Sequence, residues 1–334
     1  MKTIPKIFIV IVLILPFSNT KAQNGILKLV MDGDYDKVEQ LISAEPDLVD
    51  TVIMYNTPLI IAAYFGKDKI AELLLNHGAD MYKFKHKNGR TAIHLAAMQN
   101  HTSVVNVLIR KGVDVNFKDG SNKTALIYAI ENKQRDLIDL LLLNGAKLPE
   151  EQELMNHCLH AAVLYSLQDI ADELLENGAS LSGLDNNGRS LLHNAVIGEN
   201  IKWVELLCEK NIDSNTEDSF KRTPLHYSVE SNQLEITKSL VKNGAEINSI
   251  DYTNRTPLTI AKGLGYVQIA DFLEDNGGQL SDPKVFKIAG DKEEQQEVKV
   301  TYIANMGVLI SSASKTVLID GLVNGNYKCR VFGK

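Results

Sequence analysis

The sequence predicts an all-α solenoid of stacked helix pairs that ends in a short β-hairpin tail. Three observations predict it. One pattern recurs seven times at nearly constant spacing, apolar and small residues hold fixed columns within it, and the last stretch of the chain turns β-branched. Such a repeat buries its apolar face only against its neighbours, which is why copies come in long runs.

The chain of 334 residues begins MKTIPKIFIVIVLILPFSNTKAQ. Lys2 and Lys6 precede an apolar run from Ile7 to Phe17, interrupted by Pro16. That run falls short of the roughly 20 residues that span a bilayer. A basic start, a short apolar core and small residues near Ala22 read as a secretory signal peptide over 1–22, with an uncleaved anchor as the alternative. Removing it takes away Lys2, Lys6 and Lys21, so 35 basic residues become 32 against 42 acidic ones and the charge moves from -7 to -10. So acidic a chain suits phosphate backbones poorly. Nucleic acid is not an expected partner, and no membrane span is expected after signal removal. Cys158, Cys208 and Cys329 are too few and too scattered for a disulfide scaffold.

The copies start at Thr57, Thr91, Thr124, His157, Ser190, Thr223 and Thr256, separated by 34, 33, 33, 33, 33 and 33 residues. The eighteenth column is invariably leucine: Leu74, Leu108, Leu141, Leu174, Leu207, Leu240 and Leu273. Four residues earlier stand Ile70, Val104, Leu137, Ile170, Trp203, Ile236 and Ile269, so each second helix carries an i, i+4 apolar stripe. The sixth column holds Ala62, Ala96, Ala129, Ala162, Ala195, Ser228 and Ala261, small enough for close helix approach. The twenty-second holds six glycines and Asn211, the residues that end a helix in the left-handed conformation with least strain.

The period of 33 and tetrads such as "TPLH" at Thr223 resemble the ankyrin repeat family over about residues 24–280. The resemblance implies about seven repeats plus an N-terminal cap, for which "GILKLVMDGDYDKVEQLISAEPDLVD" (25–50) supplies the two-helix pattern. It also explains "HCLHAAVLYS" at 157–166, whose His157, Cys158 and His160 have the look of half a zinc site. In the family a fourth-column His starts the first helix and bonds locally, a role that falls on His94, His160, His193 and His226. His157 and Cys158 then take the Thr and Pro places of a worn repeat. Cys208, in a mostly aliphatic column, is expected as a small buried hydrophobe. The array is interrupted at "AKLPEEQELMN" (146–156), where Pro149 and the following glutamates predict a short helix in place of the usual hairpin finger.

Residues 281–297 are expected as a charged linker and 298–334 as an incomplete β segment, with two strands turning near Ser311 to Ser314. A strand, Gly307, and a second strand ending Ile-Asp-Gly at Asp320 resemble the opening of metallo-β-lactamase-fold hydrolases. That family's His-x-His-x-Asp-His motif does not follow, and the last histidine is His226. The alternative is an ordinary hairpin that caps the solenoid edge.

Arg90, Lys123, Arg189, Arg222 and Arg255 recur just before repeat starts and are expected as a solubilising stripe. The eighth column contains Tyr64, Met98, Leu164 and Ile197 alongside Glu131, Glu230 and Gly263, and is expected on the exposed concave face of the first helices. The four apolar members are the candidate protein-binding residues. No catalytic, cofactor-binding or metal residues are expected in the repeats. The expected function is a protein-binding scaffold, monomeric, acting through its concave face and finger tips and exported to the periplasm or beyond. The alternative is a fragment of an exported metallo-β-lactamase-fold hydrolase whose metal site lies elsewhere.

Overall fold

The structure is a computed structural model describing residues 20–83, 88–281 and the strand residues 284–287, 297–303, 307–311, 315–320 and 328–333. All but the last three residues of the expected signal peptide lie outside the described residues. The chain divides into two compact units, Met1–Cys158 and Leu159–Lys334.

The first unit contains α1 (Thr20–Asp32), α2 (Tyr35–Ala44), a 3-10 turn (Pro46–Asp50), α3 (Pro58–Tyr64), α4 (Asp68–Asn76), α5 (Ala92–Met98), α6 (Thr102–Arg110), α7 (Ala125–Glu131), α8 (Arg135–Leu143) and the start of α9 (Gln152–Leu164). First helices pack in the order α1, α3, α5, α7, and second helices in the order α2, α4, α6, α8. The second unit continues with α10 (Gln168–Glu176), α11 (Leu191–Ile197), α12 (Ile201–Glu209), α13 (Pro224–Glu230), α14 (Leu234–Lys242), α15 (Pro257–Leu264) and α16 (Val267–Asp275). There α11, α13 and α15 stack in one row, and α12, α14 and α16 in the other. This is the solenoid architecture that the repeat period predicts.

The columns account for the packing. Each eighteenth-column leucine and each sixth-column residue, Ser228 included, is completely buried. A buried Leu contributes about 1.5–3 kcal/mol relative to an exposed one, so one leucine per repeat is a large share of a unit too small to fold alone. Every twenty-second-column residue has positive φ, from 56° at Asn211 to 96° at Gly178. A Cβ at the six glycines would meet nothing, so backbone conformation selects them, not space. A second left-handed column, the tenth, holds Gly66, Asn100, Asn232 and Gly265, and in it Lys133, Ser166 and Glu199 adopt φ 58°, 58° and 56°.

Two expectations are corrected. No separate short helix fills the interruption. Instead α9 starts at Gln152 and runs for 13 residues, where α11 and α13 have seven. With His157 and Cys158 in place of Thr-Pro there is no helix-start signal to interrupt it, and Met155 adds buried surface. The tail is more than a hairpin. It is a five-stranded antiparallel meander: β1 (Lys284–Lys287), β2 (Glu297–Ile303), β3 (Gly307–Ser311), β4 (Lys315–Asp320) and β5 (Lys328–Gly333). Strand β1 lies within the stretch expected as linker. The expected hairpin is β3–β4, with Val308 opposite Ile319 and Ser311 opposite Thr316.

Candidate functional site

The eighth-column residues close their first helices in each unit. In the first unit Tyr64 and Met98 end α3 and α5, and the Tyr64 carbonyl accepts a bond from His101 Nε2 at 3.0 Å. In the second unit Leu164 and Ile197 end α9 and α11. Gly198 presses on the Leu164 carbonyl so closely that any side chain there would collide with it, which brings these two repeats' helix ends together. All four candidates are half-buried rather than fully exposed, because neighbouring repeats cover one flank of each.

More exposed apolar side chains stand on the fingers, with others at helix ends such as Leu143 and Val267. In the second unit Leu184, Phe220, Ile250 and Tyr252 are 57%, 57%, 47% and 73% exposed. Their fingers are rigid turns built by aspartates. The Oδ1 atoms of Asp185, Asp218 and Asp251 each accept from the backbone N–H groups two and four residues on, at 2.7–3.0 Å. Successive fingers are laddered, Ser219 N–H to the Asn187 carbonyl at 3.0 Å and Tyr252 N–H to the Phe220 carbonyl at 2.9 Å. In the first unit the corresponding turn sets Met54 and Tyr55 out at φ 46° and 68°, between reciprocal Ile53 and Asn56 backbone bonds. A left-handed non-glycine costs about 1–2 kcal/mol, so this turn holds an exposed Met-Tyr pair in a strained shape. Phe220 and Tyr252 lie inside D-x-x-x-R turns, and Leu184 and Ile250 directly precede the aspartate.

The basic stripe is not a solubilising fringe. Tyr227 OH donates to Asp218 Oδ2 at 2.6 Å, and Arg189 donates to Tyr227 OH at 3.1 Å. The Arg189 and Arg222 guanidiniums lie 5.2 and 5.3 Å from the Tyr227 ring centre, while Arg222 forms a fork on Glu230 at 2.7 and 3.0 Å. The first unit repeats this with Arg90, Asp119, Tyr128, Lys123 and Glu131, Tyr128 OH donating to Asp119 at 2.5 Å. Burial pushes the Asp119 and Asp218 carboxyls up, but the tyrosine hydroxyl and backbone N–H groups outweigh it and hold both below the ordinary value. Glu131 and Glu230 are thus already paired with Lys123 and Arg222.

His94, His193 and His226 behave as expected. Each Nδ1 accepts from the backbone N–H of its helix-cap residue at 3.1 Å. Each Nε2 donates to a carbonyl of the next repeat: Phe117, Arg222 and Arg255, at 3.0, 2.9 and 3.2 Å. Burial depresses all three below 6.5, keeping the rings neutral. His160 departs from them. Because α9 starts early, it sits mid-helix, its Nδ1 accepting from Asn194 Nδ2 at 2.8 Å and its Nε2 donating to the Gly183 carbonyl at 3.2 Å. His157 donates to Glu131 at 2.8 Å. Cys158 is wholly buried, its thiol pushed up to about 12 by that burial. The trio is thus engaged with three separate surroundings, and among the described residues no cluster of three or more metal-competent side chains occurs. Cys208 is half-buried rather than buried. Among the described residues no helix is long and apolar enough to cross a membrane.

The ankyrin repeats family model matches residues 26–119, 82–152, 126–218, 159–251 and 214–284. The chain is similar to the ankyrin repeat and SOCS box protein 5 of Oryctolagus cuniculus, 34% identical over 87 residues covering 26% of each protein. It is also similar to an ankyrin repeat protein of Fowlpox virus, 33% identical over 97 residues covering 28% of each. The matches thus span about a quarter of these relatives. Among solved structures, the human ASB11 ankyrin repeat domain aligns with TM-score 0.49 and 21% identity, covering 68% of this chain and 100% of that one.

Proposed function

The chain belongs to the ankyrin repeat family, and from that premise we propose that it is a protein-binding scaffold acting through its finger tips and the ends of its first helices. The observation that carries this reading is the row of exposed Leu184, Phe220, Ile250 and Tyr252 on laddered turns. Apolar and aromatic anchors concentrate binding energy at interfaces, and a turn already fixed by its own hydrogen bonds loses little entropy when a partner docks. Leu164 and Ile197 add a second apolar element in the same unit, as Tyr64 and Met98 do in the first. Since Glu131 and Glu230 are neutralised by their own repeats, the partner surface facing these residues is apolar rather than basic.

The scaffold acts as a monomer outside the cytoplasm, periplasmic or secreted, directed there by residues 1–22. It is not an enzyme and holds no zinc. Elemental analysis of the purified protein tests the last point, one tightly bound zinc per chain refuting it. A second reading concerns the tail. Gly307 opens β3 and Asp320 closes β4, an arrangement that fits the start of a metallo-β-lactamase-fold hydrolase domain whose metal ligands are not among these residues. Sequence coding for His-x-His-x-Asp-His beyond codon 334 would favour it.

The scaffold reading is tested by pull-down from the envelope fraction of the cells that make the protein. Leu164→Asp with Ile197→Asp, and separately Phe220→Ser with Tyr252→Ser, should lose partners captured by the wild type while circular dichroism stays unchanged. Folded variants that keep every partner would refute it.

A further inference from the structure

The single interruption of the array leaves a gap in the first unit. In intact fingers the N–H four residues before a repeat start donates to a carbonyl of the preceding finger: Gly120 to Asn88 at 2.7 Å, Ser219 to Asn187 at 3.0 Å, Tyr252 to Phe220 at 2.9 Å. The finger Asp119–Lys123 presents the Ser121 carbonyl for the same bond. No finger follows it, and among the described residues that carbonyl accepts no hydrogen bond. The junction is otherwise in register. Asn116 donates to the Gly145 carbonyl at 2.9 Å and accepts from Lys147 N–H at 2.8 Å, as Asn215 does with Gly244 and Glu246 at 3.1 and 2.6 Å.

Beside this finger lies a cavity of about 170 Å³, lined by Lys118, Lys147, Thr124, Ile127, Leu148, Pro149 and Glu151 among others. Two polar atoms of its lining are buried without a partner, Thr124 Oγ1 and Glu151 Oε2. Thr124 is only 6% exposed. At Thr91 and Thr223 the cap hydroxyl meets a fourth-column ring, His94 and His226, each at 3.0 Å, while at Thr57, which also faces an isoleucine, it accepts the Ile60 N–H at 3.2 Å. Here that residue is Ile127, so both the ring and the finger carbonyl it would reach are missing. The other oxygen of Glu151 holds Lys118 at 2.8 Å.

The Glu151 side chain is 41% exposed, but its Oε2 is covered, and a charged N–H donor satisfies such an oxygen best. Ile127, Leu148 and Pro149 supply an apolar wall suited to a methylene stem. We propose that this gap receives an arginine side chain from an extended segment of a partner protein. The segment's backbone N–H donates to the Ser121 carbonyl in place of the missing finger, and the guanidinium donates to Glu151 Oε2 and Thr124 Oγ1. A planar fork of donors serves acceptors on two residues, which an ammonium does less well. The proposal rests on the scaffold reading and names a chemical feature of the partner.

The test titrates the full chain with acetyl-Gly-Arg-Gly-amide and with its citrulline counterpart, which has the same shape without the charge, following backbone amides by NMR. The arginine peptide should shift the amides of 120–123 and 147–151, and the citrulline peptide should bind at least tenfold more weakly. Glu151→Gln should weaken the arginine peptide at least tenfold. Ile127→His, which restores a ring for Thr124 and fills the gap, should abolish binding while circular dichroism shows the array still folded. Equal binding of the two peptides, shifts confined to other residues, or full binding by either variant would overturn the proposal. If it is overturned while partner capture still depends on Leu164 and Ile197, the scaffold reading stands; if capture is insensitive to those residues as well, both fall.

Discussion

Acid should destabilise the array through its capping histidines before it reaches the finger aspartates. His94, His193 and His226 are buried, and burial sets each folded pKa below the ordinary 6.5. The unfolded chain therefore binds more protons in the window between the two values. Their contribution to stability is complete above pH 6.5 and is lost as pH falls through 6.5 toward each folded value. One group changes stability by at most about 1.4 kcal/mol per pH unit. Because the unfolded histidine is only half protonated at 6.5, each contributes at most about 1 kcal/mol between pH 6.5 and 5.5, or at most about 3 kcal/mol for the three. Asp119, Asp218 and Asp251 are held below 3.8, so their loss follows only at lower pH. Urea unfolding at pH 7.5, 6.5 and 5.5 measures the effect, and His226→Gln should remove about a third of the slope. A midpoint flat across this range, or a slope that His226→Gln leaves unchanged, would refute the buried neutral assignment.

Three further outcomes are expected. Leu174→Ala, at a fully buried column position, should cost about 2–5 kcal/mol, felt mainly by adjacent repeats; a urea midpoint within error of wild type would mean the register at His157 is wrong. Asp218→Ala strands the Tyr227 hydroxyl and the N–H groups of Phe220 and Arg222. It should cost about 2–4 kcal/mol against about 1 kcal/mol for Tyr227→Phe, and the same cost for both would show that the aspartate does not organise the finger. Glu199→Gly relieves a left-handed residue at φ 56° and should raise stability by up to about 1 kcal/mol, with a lowered midpoint contradicting the strain.

Much of this fold is legible in the sequence because a 33-residue period forces each column into one environment. The leucines, the small sixth column and the left-handed glycines are where the pattern puts them. What escaped needs a third dimension or a broken column. Arg189 reads as a surface charge until Tyr227 and Asp218, 38 and 29 residues onward, are seen beneath it. The extension of α9 was hidden because its cause is an absent signal, the missing Thr-Pro at His157. Lys133, Ser166 and Glu199 adopt left-handed backbone although their side chains do not favour it, and the only hint was that the same column holds Gly66, Asn100, Asn232 and Gly265. The candidate site was half legible. Tyr64, Met98, Leu164 and Ile197 were named from their column, but their half-buried state comes from neighbouring repeats. The protruding Phe220 and Tyr252 belong to a turn whose residues vary freely.

Hydrogen exchange on the full chain, with and without a partner recovered by pull-down, tests the scaffold claim most directly. Protection should rise at the ends of α9 and α11 and across the fingers holding Leu184, Phe220 and Tyr252, leaving the outer helices α12 and α14 unchanged. Protection confined to α12 and α14, with the fingers exchanging as in the free protein, would contradict the account.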